Sequence, residues 1–592
     1  MQRILLSRIR QLSRLPPASA SPSSRWVCAA CERRGGVWRR LASTTTPQQP
    51  ATQAADATPQ KPYYVTTPIF YVNASPHIGH MYTMVLADVL KRYRVLRGER
   101  ALLCTGTDEH GTKIQRAAAQ SDMEPKQLCD ANSTVFADLA QTSHIDNDFF
   151  VRTTDEGHKD AVRYFWDTLV RRGHIYEDKH AGWYCVSDET FYPESLIEKR
   201  MDPVTGKVFL ASKESGGAVE WVEEKTYQFR MTAFRDRLLD WYKENPDWVV
   251  PHTRMLEVED WVRNNLEDLS VSRPVSRLSW GIPVPDDPSQ TIYVWLDALV
   301  NYITKAGYPG WAPGRESEGG WPADIHVVGK DIIRFHCVYW PALLMAADLP
   351  LPRKVLTHGH WTLGHRKMSK SVGNVVNPFL AMDRFGVDAV RFFLLSPGSI
   401  SDDADYSNEL VVDKYKKQLQ FALGNLLGRV TRSKLWNVRE RVARACAHPA
   451  DFSLPLQHEV LTKLPGAVEE HFQQPEPSRA LREIMGVVMQ TNKFIADTVP
   501  WDMAKHPDDA DKQKQLTATI FYCAEALRIC GILLQPFMPT KSAELLDVLG
   551  VHQSRRTWAY VDVGGDSEYG TAFRNPGEGA FESLFPPLPV EK

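Results

Sequence analysis

The hydrophobic pattern is clearest just after residue 60. Residues 63–67 form a run of β-branched and aromatic side chains, which predicts a buried strand. Apolar residues then recur at every fourth position, as on one face of a helix: Met81, Val85, Val89 and Tyr93. Gly98 is placed to end this helix, and residues 101–105 predict a second strand. A strand, a helix and a strand in this order predict a βαβ unit, and therefore a parallel sheet that binds ligands at the carboxyl ends of its strands.

The pattern changes twice further along the chain. Residues 175–225 are aromatic and rich in turn residues, which predicts a small β-rich insertion. Strand-like runs then return and predict further strands of the parallel sheet: residues 291–295, 325–328 and 354–357. After Asp405 the strand pattern stops, and amphipathic stretches predict a helical bundle over residues 409–432, 478–497 and 514–535. The Gly- and Pro-rich end of the chain is expected to run over the surface.

The composition is that of an ordinary globular protein. Of the 592 residues, 43% are hydrophobic and 24% are charged, and this length is enough for about three or four domains of ~150 residues. The sequence contains no run of 18 consecutive apolar residues, so it predicts no membrane span. The nine cysteines lack a disulfide-like spacing, which favours a reducing compartment.

Residues 1–60 differ in composition from the rest. They contain nine arginines, no lysine and two acidic residues, Glu32 and Asp56, together with many serines. This composition is typical of a mitochondrial transit segment, and a disordered basic tail would share it. Cys28 and Cys31 have no second ligand pair nearby, so they do not predict a metal site. Without this segment the chain is more acidic than its formal net charge of −2, so a polyanion would have to bind through local basic patches.

The sequence Pro-His-Ile-Gly-His at residues 76–80 lies at the turn between the first predicted strand and the helix. A helix N-terminus presents free N–H groups and a partial positive charge, which suits phosphate. Two imidazoles one turn apart, His77 and His80, can donate to phosphate oxygens, and Gly79 lets a nucleotide base approach the backbone. Taken alone, the motif is equally consistent with histidines that cap the helix or form half of a metal site.

The sequence Lys-Met-Ser-Lys-Ser at residues 367–371 follows the last predicted strand. Two lysines on a loop suit the neutralisation of a departing pyrophosphate, whereas most loops rich in lysine and serine are simply solvated surface. The two motifs together are far more specific than either one. In this order and placement they closely resemble the signature motifs of class I aminoacyl-tRNA synthetases.

Seven segments narrow the resemblance to one family. They are TTPIFYVNASPHIGH (66–80), TGTDEHG (105–111), WGIPVP (280–285), YVWLDA (293–298), GKDIIRFH (329–336), THGHW (357–361) and FGVDAVRFFLL (385–395). Across residues 62–545 the chain resembles methionyl-tRNA synthetases, and with its leading segment it resembles the mitochondrial members of that family.

The resemblance implies an α/β fold class: a Rossmann-type parallel-sheet catalytic domain with a small β-rich insertion, followed by a C-terminal α-helical bundle. The implied boundaries are 1–60 for the transit segment and linker, 61–174 and 271–400 for the two halves of the catalytic domain, 175–270 for the insertion and its return segment, 401–550 for the helical anticodon-binding domain and 551–592 for the C-terminal tail.

Related functions fit the sequence less well. The insertion is too short for an independent hydrolytic domain of ~100 residues or more, such as the editing domain of the valine, leucine and isoleucine enzymes. A cysteine enzyme should show zinc-binding cysteines around its pocket, and these are missing from the sequence. The alternative from another functional class is a catalytically inert, synthetase-derived RNA-binding factor, and the intact motifs at residues 77–80 and 367–371 argue against it.

Many methionyl enzymes bind zinc in the insertion through C-x-x-C pairs, and here this chain departs from the family. Cys185 is followed three residues later by Asp188, and residues 186–251 contain neither Cys nor His. A structural zinc needs four ligands, and the available side chains are too few: His174, His180 and Cys185. The sequence therefore predicts that the insertion binds no zinc, including its knuckle around Cys185 and Asp188. It also predicts that three other histidines lie in loops near ATP rather than in a metal site: His358, His360 and His365.

The reaction of this family has two steps. The carboxylate of methionine attacks the α-phosphate of ATP, with Mg²⁺ helping pyrophosphate to leave, and the terminal ribose of tRNA then takes the methionyl group. The resemblance implies that four residues act catalytically on the phosphates: His77, His80, Lys367 and Lys370. It implies an ATP site that these residues form together with Gly79, Met368, Ser369 and Ser371.

The methionine side chain is almost apolar and offers one weak acceptor, so its pocket needs aromatic walls and few donors. The resemblance places eight residues around the substrate: Ile69, Tyr71, Asp108, Trp295, Ala298, Tyr302, Ile332 and His336. Asp108 is expected to bind the substrate ammonium. Leu299 stands where the family often has proline, which leaves the shape of that wall open. Without the resemblance, Trp295 and Tyr302 would be interpreted as core residues.

Three residues of the helical region match the anticodon-reading positions of the family: Asn425, Arg429 and Trp501. Asn425 and Arg429 lie four residues apart and so share one helix face, and Trp501 follows Pro500 at a predicted helix start. An amide and a guanidinium can bind the edge of an unstacked base, and an indole can stack on it. The expected function is a methionine–tRNA ligase of the mitochondrial matrix, a monomer whose partners are ATP with Mg²⁺, L-methionine and tRNA(Met), with no membrane association.

Overall fold

The computed structural model of the chain describes residues 61–202, 205–312, 314–368, 374–396, 400–570 and 583–589; the side chains of His180 and Lys367 lie outside this description. The described residues belong to one compact unit, Pro59–Lys592. Residues 1–60, predicted to be a transit segment and linker, lie outside the described part of the chain, so that role stays a prediction.

The strands in chain order are β1 (Tyr63–Thr66), β2 (Phe70–Tyr71), β3 (Ala101–Asp108), β4 (Phe149–Arg152), β5 (Ile175–Cys185), β6 (Thr190–Tyr192), β7 (Ile197–Met201), β8 (Val208–Ser212), β9 (Val219–Phe229), β10 (Val249–Val250), β11 (Leu269–Ser270), β12 (Ser272–Pro274), β13 (Pro283–Val284), β14 (Asp287–Ile292), β15 (Ile325–Gly329), β16 (Val355–His358), β17 (Trp361–Leu363), β18 (Arg366–Lys367) and β19 (Ala404–Asp405).

The helices are α1 (Ile78–Leu96), α2 (Thr112–Gln120), α3 (Pro125–Thr142), α4 (Glu156–Arg171), α5 (Arg235–Glu244), α6 (His252–Asn265), α7 (Val294–Thr304), α8 (Trp340–Ala347), α9 (Pro378–Phe385), α10 (Val387–Leu395), α11 (Asn408–Lys414), α12 (Asn425–Thr431), α13 (Val438–Ala447), α14 (Pro455–Gln473), α15 (Pro477–Thr498), α16 (Pro500–Met503), α17 (Ala510–Leu534) and α18 (Pro539–Val548). Two segments are π-helical: Phe335–Tyr339 and Tyr415–Gly424.

The predicted parallel sheet is formed by strands between Tyr63 and His358. Its strand order is β10-β16-β15-β1-β3-β2, with β4 also paired to β3, and the pairs in this sheet are parallel. The chain places β3 on one side of β1 and later adds β15 and β16 on the other side. The strand order therefore reverses at β1, and the crevice at the carboxyl ends of β1 and β15 is where such sheets bind ligands.

Helix α1 confirms the predicted four-residue period. Met81, Val85, Val89 and Tyr93 are all buried, and the helix ends before Gly98 as predicted. Burying each of these side chains contributes about 1.5–3 kcal/mol. This packing fixes α1 against the sheet and holds its N-terminus beside the carboxyl end of β1.

Residues 291–295 do not form a strand of the parallel sheet, so this prediction is wrong. Strand β14 ends at Ile292 and belongs to a separate antiparallel sheet with β12 and β13. Val294 already begins α7, which is buried on nearly all sides. Because its apolar residues follow one another without a helical period, the run looks the same as a buried strand.

The β-rich insertion is present. Strands β5 and β9 form a long antiparallel pair flanked by β6 and β11, and β7 pairs with β8. Helices and the two-residue strand β10 then lead the chain back, and β10 joins the edge of the central sheet. A strand this short gives no sequence pattern, which is why it was not predicted inside residues 175–270.

The helical region follows β19. The predicted stretches correspond to the run 408–431 and to α15 and α17, whereas α13, α14 and α18 were not predicted. Helix α17 is long and apolar enough to cross a membrane, yet its most apolar stretch is entirely buried within the described protein, as expected for the central helix of a bundle. Described parts of the tail are also packed inside rather than only on the surface: Tyr569 and Phe585 are buried.

Candidate active site

Two histidines close the N-terminus of α1. Nδ1 of His77, the residue before the helix, accepts a hydrogen bond from the N–H of Gly79 at 3.1 Å. Nδ1 of His80 accepts a hydrogen bond from the N–H of His77 at 3.0 Å. The ring centroids lie 3.9 Å apart. This is a capping box built from imidazoles in place of Ser and Glu.

The same bonds decide which ring nitrogen carries the proton. Since both Nδ1 atoms accept from backbone N–H groups, a neutral ring of either histidine carries its hydrogen on Nε2. His77 and His80 therefore present Nε2–H donors beside a helix N-terminus, where the partial positive charge favours phosphate. The arrangement combines two interpretations of the sequence, helix capping and phosphate binding, in one pair of residues.

Gly79 is required by this cap. A Cβ at this position would lie 2.9 Å from Cε1 of His77 and would displace the ring. His80 is held in turn between two aromatic rings, Phe70 and Phe136, each with its centroid 5.2 Å away and nearly perpendicular. The contact of Gly79 with adenine stays a prediction, because the structure explains the glycine by the cap alone.

His358 is not the loop residue that the sequence predicted. It ends strand β16, is buried, and shares a hydrogen bond of 3.0 Å between its Nε2 and Oγ1 of Thr83 on α1. Its Nδ1 donates to the carbonyl of Gly359 at 2.8 Å. Burial lowers the pKa of His358 to about 4. The ring is thus neutral, and its hydrogen bond to Thr83 connects α1 to strand β16.

Two other histidines were predicted to lie in loops near ATP. His360 pairs with Asp331, and His365 lies in the exposed turn before β18.

Four of the residues predicted to bind methionine form one contact network. The hydroxyl of Tyr302 donates to Nε2 of His336 at 2.6 Å, and Nδ1 of His336 donates to the carbonyl of Ile332 at 2.9 Å. Trp295 stands perpendicular to the His336 ring, with centroids 6.2 Å apart. Burial lowers the pKa of His336 to about 4, so the network is built around a neutral imidazole.

The network has a partner that sequence reasoning missed. Phe335 stacks on Trp295 with ring centroids 3.6 Å apart. It lies within the segment GKDIIRFH and begins the π-helical turn that carries His336; such turns recur at functional sites. Ala298 lies one turn before Tyr302 on α7 and is buried beside it. Leu299 is buried on the same helix, so the usual proline of the family is replaced here by a packed side chain.

Tyr71 and Asp108 are paired residues on the adjacent strands β2 and β3, and Ile69 precedes them at the same edge of the sheet. Asp108 is buried, and its Oδ1 has no hydrogen-bond partner among the described residues. Burial raises the pKa of Asp108 well above its usual value, and the charges of Asp297 and Glu189 raise it further. A cation at this point would oppose these effects and supply the missing partner.

A buried carboxylate within electrostatic reach of Asp108 was also missed. Asp297 accepts hydrogen bonds from Nδ1 of His110 at 2.6 Å and from Nε2 of His158 at 2.7 Å. Burial alone would raise the pKa of Asp297, but the two histidines outweigh this and lower it to about 2. The available signal was that His110 and Asp297 both lie in segments that carry the family resemblance, TGTDEHG and YVWLDA, although no spacing rule links them.

The second motif lies largely outside the described residues. Ser369, Lys370, Ser371 and the side chain of Lys367 belong to the part that the structure does not describe. The backbone of Lys367 pairs with Thr362 in the hairpin of β17 and β18. Met368 is buried against the hydrophobic core and anchors the start of the motif.

Comparison with known proteins shows to which family the chain belongs. The family model "tRNA synthetases class I (M)" matches residues 63–431. The chain is 56% identical over 579 residues to a probable mitochondrial methionine–tRNA ligase of Neurospora crassa, covering 95% of this chain and 91% of that protein. It is 43% identical over 514 residues to the mitochondrial methionine–tRNA ligase of Homo sapiens, covering 83% and 85%. The chain belongs to the methionyl-tRNA synthetase family.

Solved structures of this family have the same fold. The methionyl-tRNA synthetase of Mycobacterium tuberculosis in complex with methionyl-adenylate gives a TM-score of 0.78 at 37% identity, covering 89% of this chain and 100% of that chain. Its apo form gives a TM-score of 0.72 at 34% identity, covering 90% and 99%. The predicted fold class, a Rossmann-type parallel sheet followed by a helical domain, is confirmed.

The three residues matched to the anticodon-reading positions of this family lie on the surface. Asn425 and Arg429 are exposed on one face of α12, directly after the π-helical segment Tyr415–Gly424. Trp501 is 38% exposed and follows Pro500 at the start of α16. This exposure does not fit a core packing residue. Their roles in reading RNA stay predictions.

The knuckle of the insertion is held by hydroxyl groups. The sulfur of Cys185 lies 3.1 Å from Oγ of Ser187, and Asp188 accepts hydrogen bonds from the hydroxyls of Tyr192, at 2.8 Å, and Ser215. Within the described ranges no group of three or more His, Cys, Asp or Glu side chains is arranged to hold a metal. The absence of zinc stays a prediction, to be tested by elemental analysis of the purified protein.

Proposed function

We propose that this mitochondrial methionine–tRNA ligase activates methionine at the carboxyl edge of its central sheet and works in the mitochondrial matrix. The observation that carries the proposal is a complementary pair of groups at that edge. Asp108, at the end of β3, offers a buried carboxylate oxygen without a partner in the described protein. The cap of α1, which follows β1 and the short strand β2 in the chain, offers Nε2–H donors from His77 and His80. Methionyl-adenylate carries an ammonium at one end and a phosphate at the other.

Methionine is held by its two distinctive parts. Its ammonium pairs with Asp108, where burial strengthens the attraction between opposite charges. Its thioether lies against Trp295 and the neutral ring of His336, since sulfur–aromatic contacts contribute about 0.3–1.5 kcal/mol each. A neutral imidazole suits this role because an imidazolium would require a counter-charge in an apolar pocket. The pocket therefore selects for shape and polarizability rather than for charge.

Activation needs placement and charge stabilisation. A carboxylate oxygen of methionine forms a bond to the α-phosphorus of ATP, and the bond from that phosphorus to the bridging oxygen of pyrophosphate breaks. The Nε2–H groups of His77 and His80 stabilise the charge that develops on the phosphate oxygens, and Lys367 and Lys370 stabilise the leaving pyrophosphate. Mg²⁺ enters as part of the ATP complex, held by the phosphates, as is usual for this ion.

The second step uses the helical domain. Asn425, Arg429 and Trp501 bind the anticodon of tRNA(Met) while the terminal ribose hydroxyl of the tRNA attacks the methionyl carbonyl and AMP leaves. The exposure of all three side chains supports this role, since base edges and faces can reach them. We further propose that the enzyme acts as a monomer, which sedimentation of the purified protein would test.

The test is ATP–pyrophosphate exchange with each of the twenty amino acids in turn. Methionine alone should support rapid exchange, and Asp108→Asn should raise the KM for methionine while leaving the KM for ATP unchanged. Exchange with another amino acid at a comparable kcat/KM would refute the assignment of substrate. Absence of exchange, with tRNA binding retained, would indicate an RNA-binding factor instead.

A further inference from the structure

The turn between β5 and β6 of the insertion reaches the methionine site. Glu189 lies in this turn, is only 1% exposed, and has a φ of +54°, a left-handed conformation that residues other than glycine rarely adopt. A non-glycine residue held in this conformation by its surroundings is a recognised marker of a functional constraint.

Glu189 supplies a cap that α2 lacks. The residue before α2 is Gly111, which has no side chain, so the first N–H groups of the helix need a partner from elsewhere. Oε1 of Glu189 accepts from the N–H of Lys113 at 2.6 Å, and the N–H of Thr112 binds the same carboxylate. A carboxylate at a helix N-terminus gains from both the hydrogen bonds and the helix dipole.

The close approach of the Glu189 carboxylate to the backbone also explains why residue 111 is a glycine. A Cβ on Gly111 would lie 2.7 Å from Oε2 of Glu189, and the φ of Gly111 is +105°. Any other residue would be strained and would push the carboxylate away. The final residue of the segment TGTDEHG is therefore matched to an acidic side chain from the insertion.

The turn is anchored on its other side. The carboxylate of Asp188 accepts hydrogen bonds from the hydroxyls of Ser187, Tyr192 and Ser215. The backbone carbonyl of Asp188 accepts a hydrogen bond from Nε1 of Trp295, in the proposed methionine pocket, at 3.4 Å. The hydroxyl cluster thus fixes the turn at the point where it meets both the pocket and α2.

Only three residues separate Asp108, at the end of β3, from the start of α2. Strand β3 fixes one end of this short connection, and the cap by Glu189 fixes the other end. Lys113, whose N–H binds Glu189, also places its ammonium 4.6 Å from the centre of the Tyr71 ring. Glu189 also lies close enough to Asp108, the carboxyl that faces the proposed ammonium of the substrate, to add to the rise of the Asp108 pKa that burial and Asp297 produce.

We propose that Glu189 is a positioning residue for methionine: from the insertion it caps α2, holds Asp108 in place and adds negative charge where the substrate ammonium binds. This inference rests on the proposed role of Asp108. It gives the turn between β5 and β6 a function in substrate binding, and its effect should be confined to ligands that carry an ammonium group.

The experiment compares Glu189→Gln with Glu194→Gln, a matched change at an exposed position of the same insertion. We expect Glu189→Gln to raise the KM for methionine roughly tenfold, as for the loss of one hydrogen bond to a charged group, with the KM for ATP unchanged. Glu194→Gln should behave as the parent. The inhibition constant of 4-(methylthio)butanoate, which is methionine without its amine, should be the same for the parent and for Glu189→Gln.

If Glu189 had a purely structural role, Glu189→Gln would weaken the binding of methionine and of 4-(methylthio)butanoate together. That result would overturn the inference. Glu189→Asp, which keeps the charge on a shorter side chain, should recover part of the loss, and it serves as the test variant if the glutamine variant fails to fold. Asp108→Asn is measured in parallel. If it leaves the KM for methionine unchanged, the proposed ammonium site is wrong; if it raises the KM and Glu189→Gln does not, only the role of Glu189 is wrong.

Discussion

Tyr302 donates its hydroxyl hydrogen to Nε2 of His336 at 2.6 Å, and this bond fixes the orientation of a neutral imidazole in the proposed methionine pocket. The other ring nitrogen is already bound to the carbonyl of Ile332. Both nitrogens are thereby satisfied in a buried position, which avoids the cost of an unpaired polar atom. The two bonds therefore fix the His336 ring in one orientation.

Tyr302→Phe should loosen this ring without changing the size of the pocket. Ordering one side chain on binding costs about 0.5–1.5 kcal/mol, so the KM for methionine should rise about two- to twelvefold while the KM for ATP stays the same. The melting temperature should also fall, because Nε2 of His336 loses its partner. Tyr164→Phe, at an exposed tyrosine, is the control. An equal rise in both KM values would show that the effect is not local to the pocket.

Acid should destabilise the enzyme through its buried histidines. Burial lowers the pKa of His336 and of His358 to about 4 from the ordinary value of 6.5. Between these pH values the unfolded chain binds more protons than the folded one, so the free energy of unfolding falls as the pH falls from 6.5 to 4, by about 1.4 kcal/mol for each unit of pKa shift. Above pH 6.5 these two groups should give no pH dependence.

His358→Asn isolates one of these contributions. Denaturant unfolding between pH 4 and 7 should show a shallower dependence of stability on pH in this variant than in the parent. His552→Asn, which changes an exposed histidine, should leave the slope unchanged. A parental slope in the His358→Asn variant would mean that His358 is not neutral in the folded protein.

His80 caps α1, and substitutions can separate this role from its proposed role as a donor to the phosphates. His80→Ala removes a donor to the phosphates and should slow adenylate formation by a factor of ~10²–10³. His80→Gln restores the ordinary partner of a capping box, so its melting temperature should return to the parental value with little recovery of rate. Affinity for tRNA should be unchanged in both variants. If His80→Gln had full activity, His80 would act only as a helix cap and its proposed role as a donor to the phosphates would be wrong.

Trp501→Ala should impair aminoacylation of tRNA and spare ATP–pyrophosphate exchange. A base stacked on an aromatic ring contributes about 1–3 kcal/mol, so the tRNA-dependent kcat/KM should fall about five- to 150-fold. Trp501→Phe, which keeps an aromatic face, should recover part of the loss. If both half-reactions decline together with the melting temperature, Trp501 is a packing residue rather than a reader of RNA.

Local patterns predicted the fold where the spacing of apolar residues matched one element. In α1 the apolar residues recur at every fourth position and Gly98 follows the run, so the helix could be predicted although most of it is buried. Helix α7 is buried nearly all round and has no such spacing, so its sequence resembles a strand. Strand β10 and the short elements of the return segment were too brief to leave a pattern.

The sequence predicted those residues of the candidate site that lie in recognisable motifs. His77, His80 and Asp108 stand in recognisable segments, but their bonding partners are set by the tertiary fold. Glu189 lies far from Lys113 in the chain, and Asp297 lies far from His110. No rule of spacing links such pairs, because only the closure of the sheet and the docking of the insertion bring them together.

The central claim is that the carboxylate of methionine attacks the α-phosphorus of ATP at this site. Methionine labelled with ¹⁸O in its carboxylate should transfer one labelled oxygen to AMP during aminoacylation, because the bridging oxygen of the adenylate leaves with AMP. Mass spectrometry of the AMP released in a single turnover gives the answer. One ¹⁸O per AMP is the predicted result, and unlabelled AMP formed together with methionyl-tRNA would contradict it.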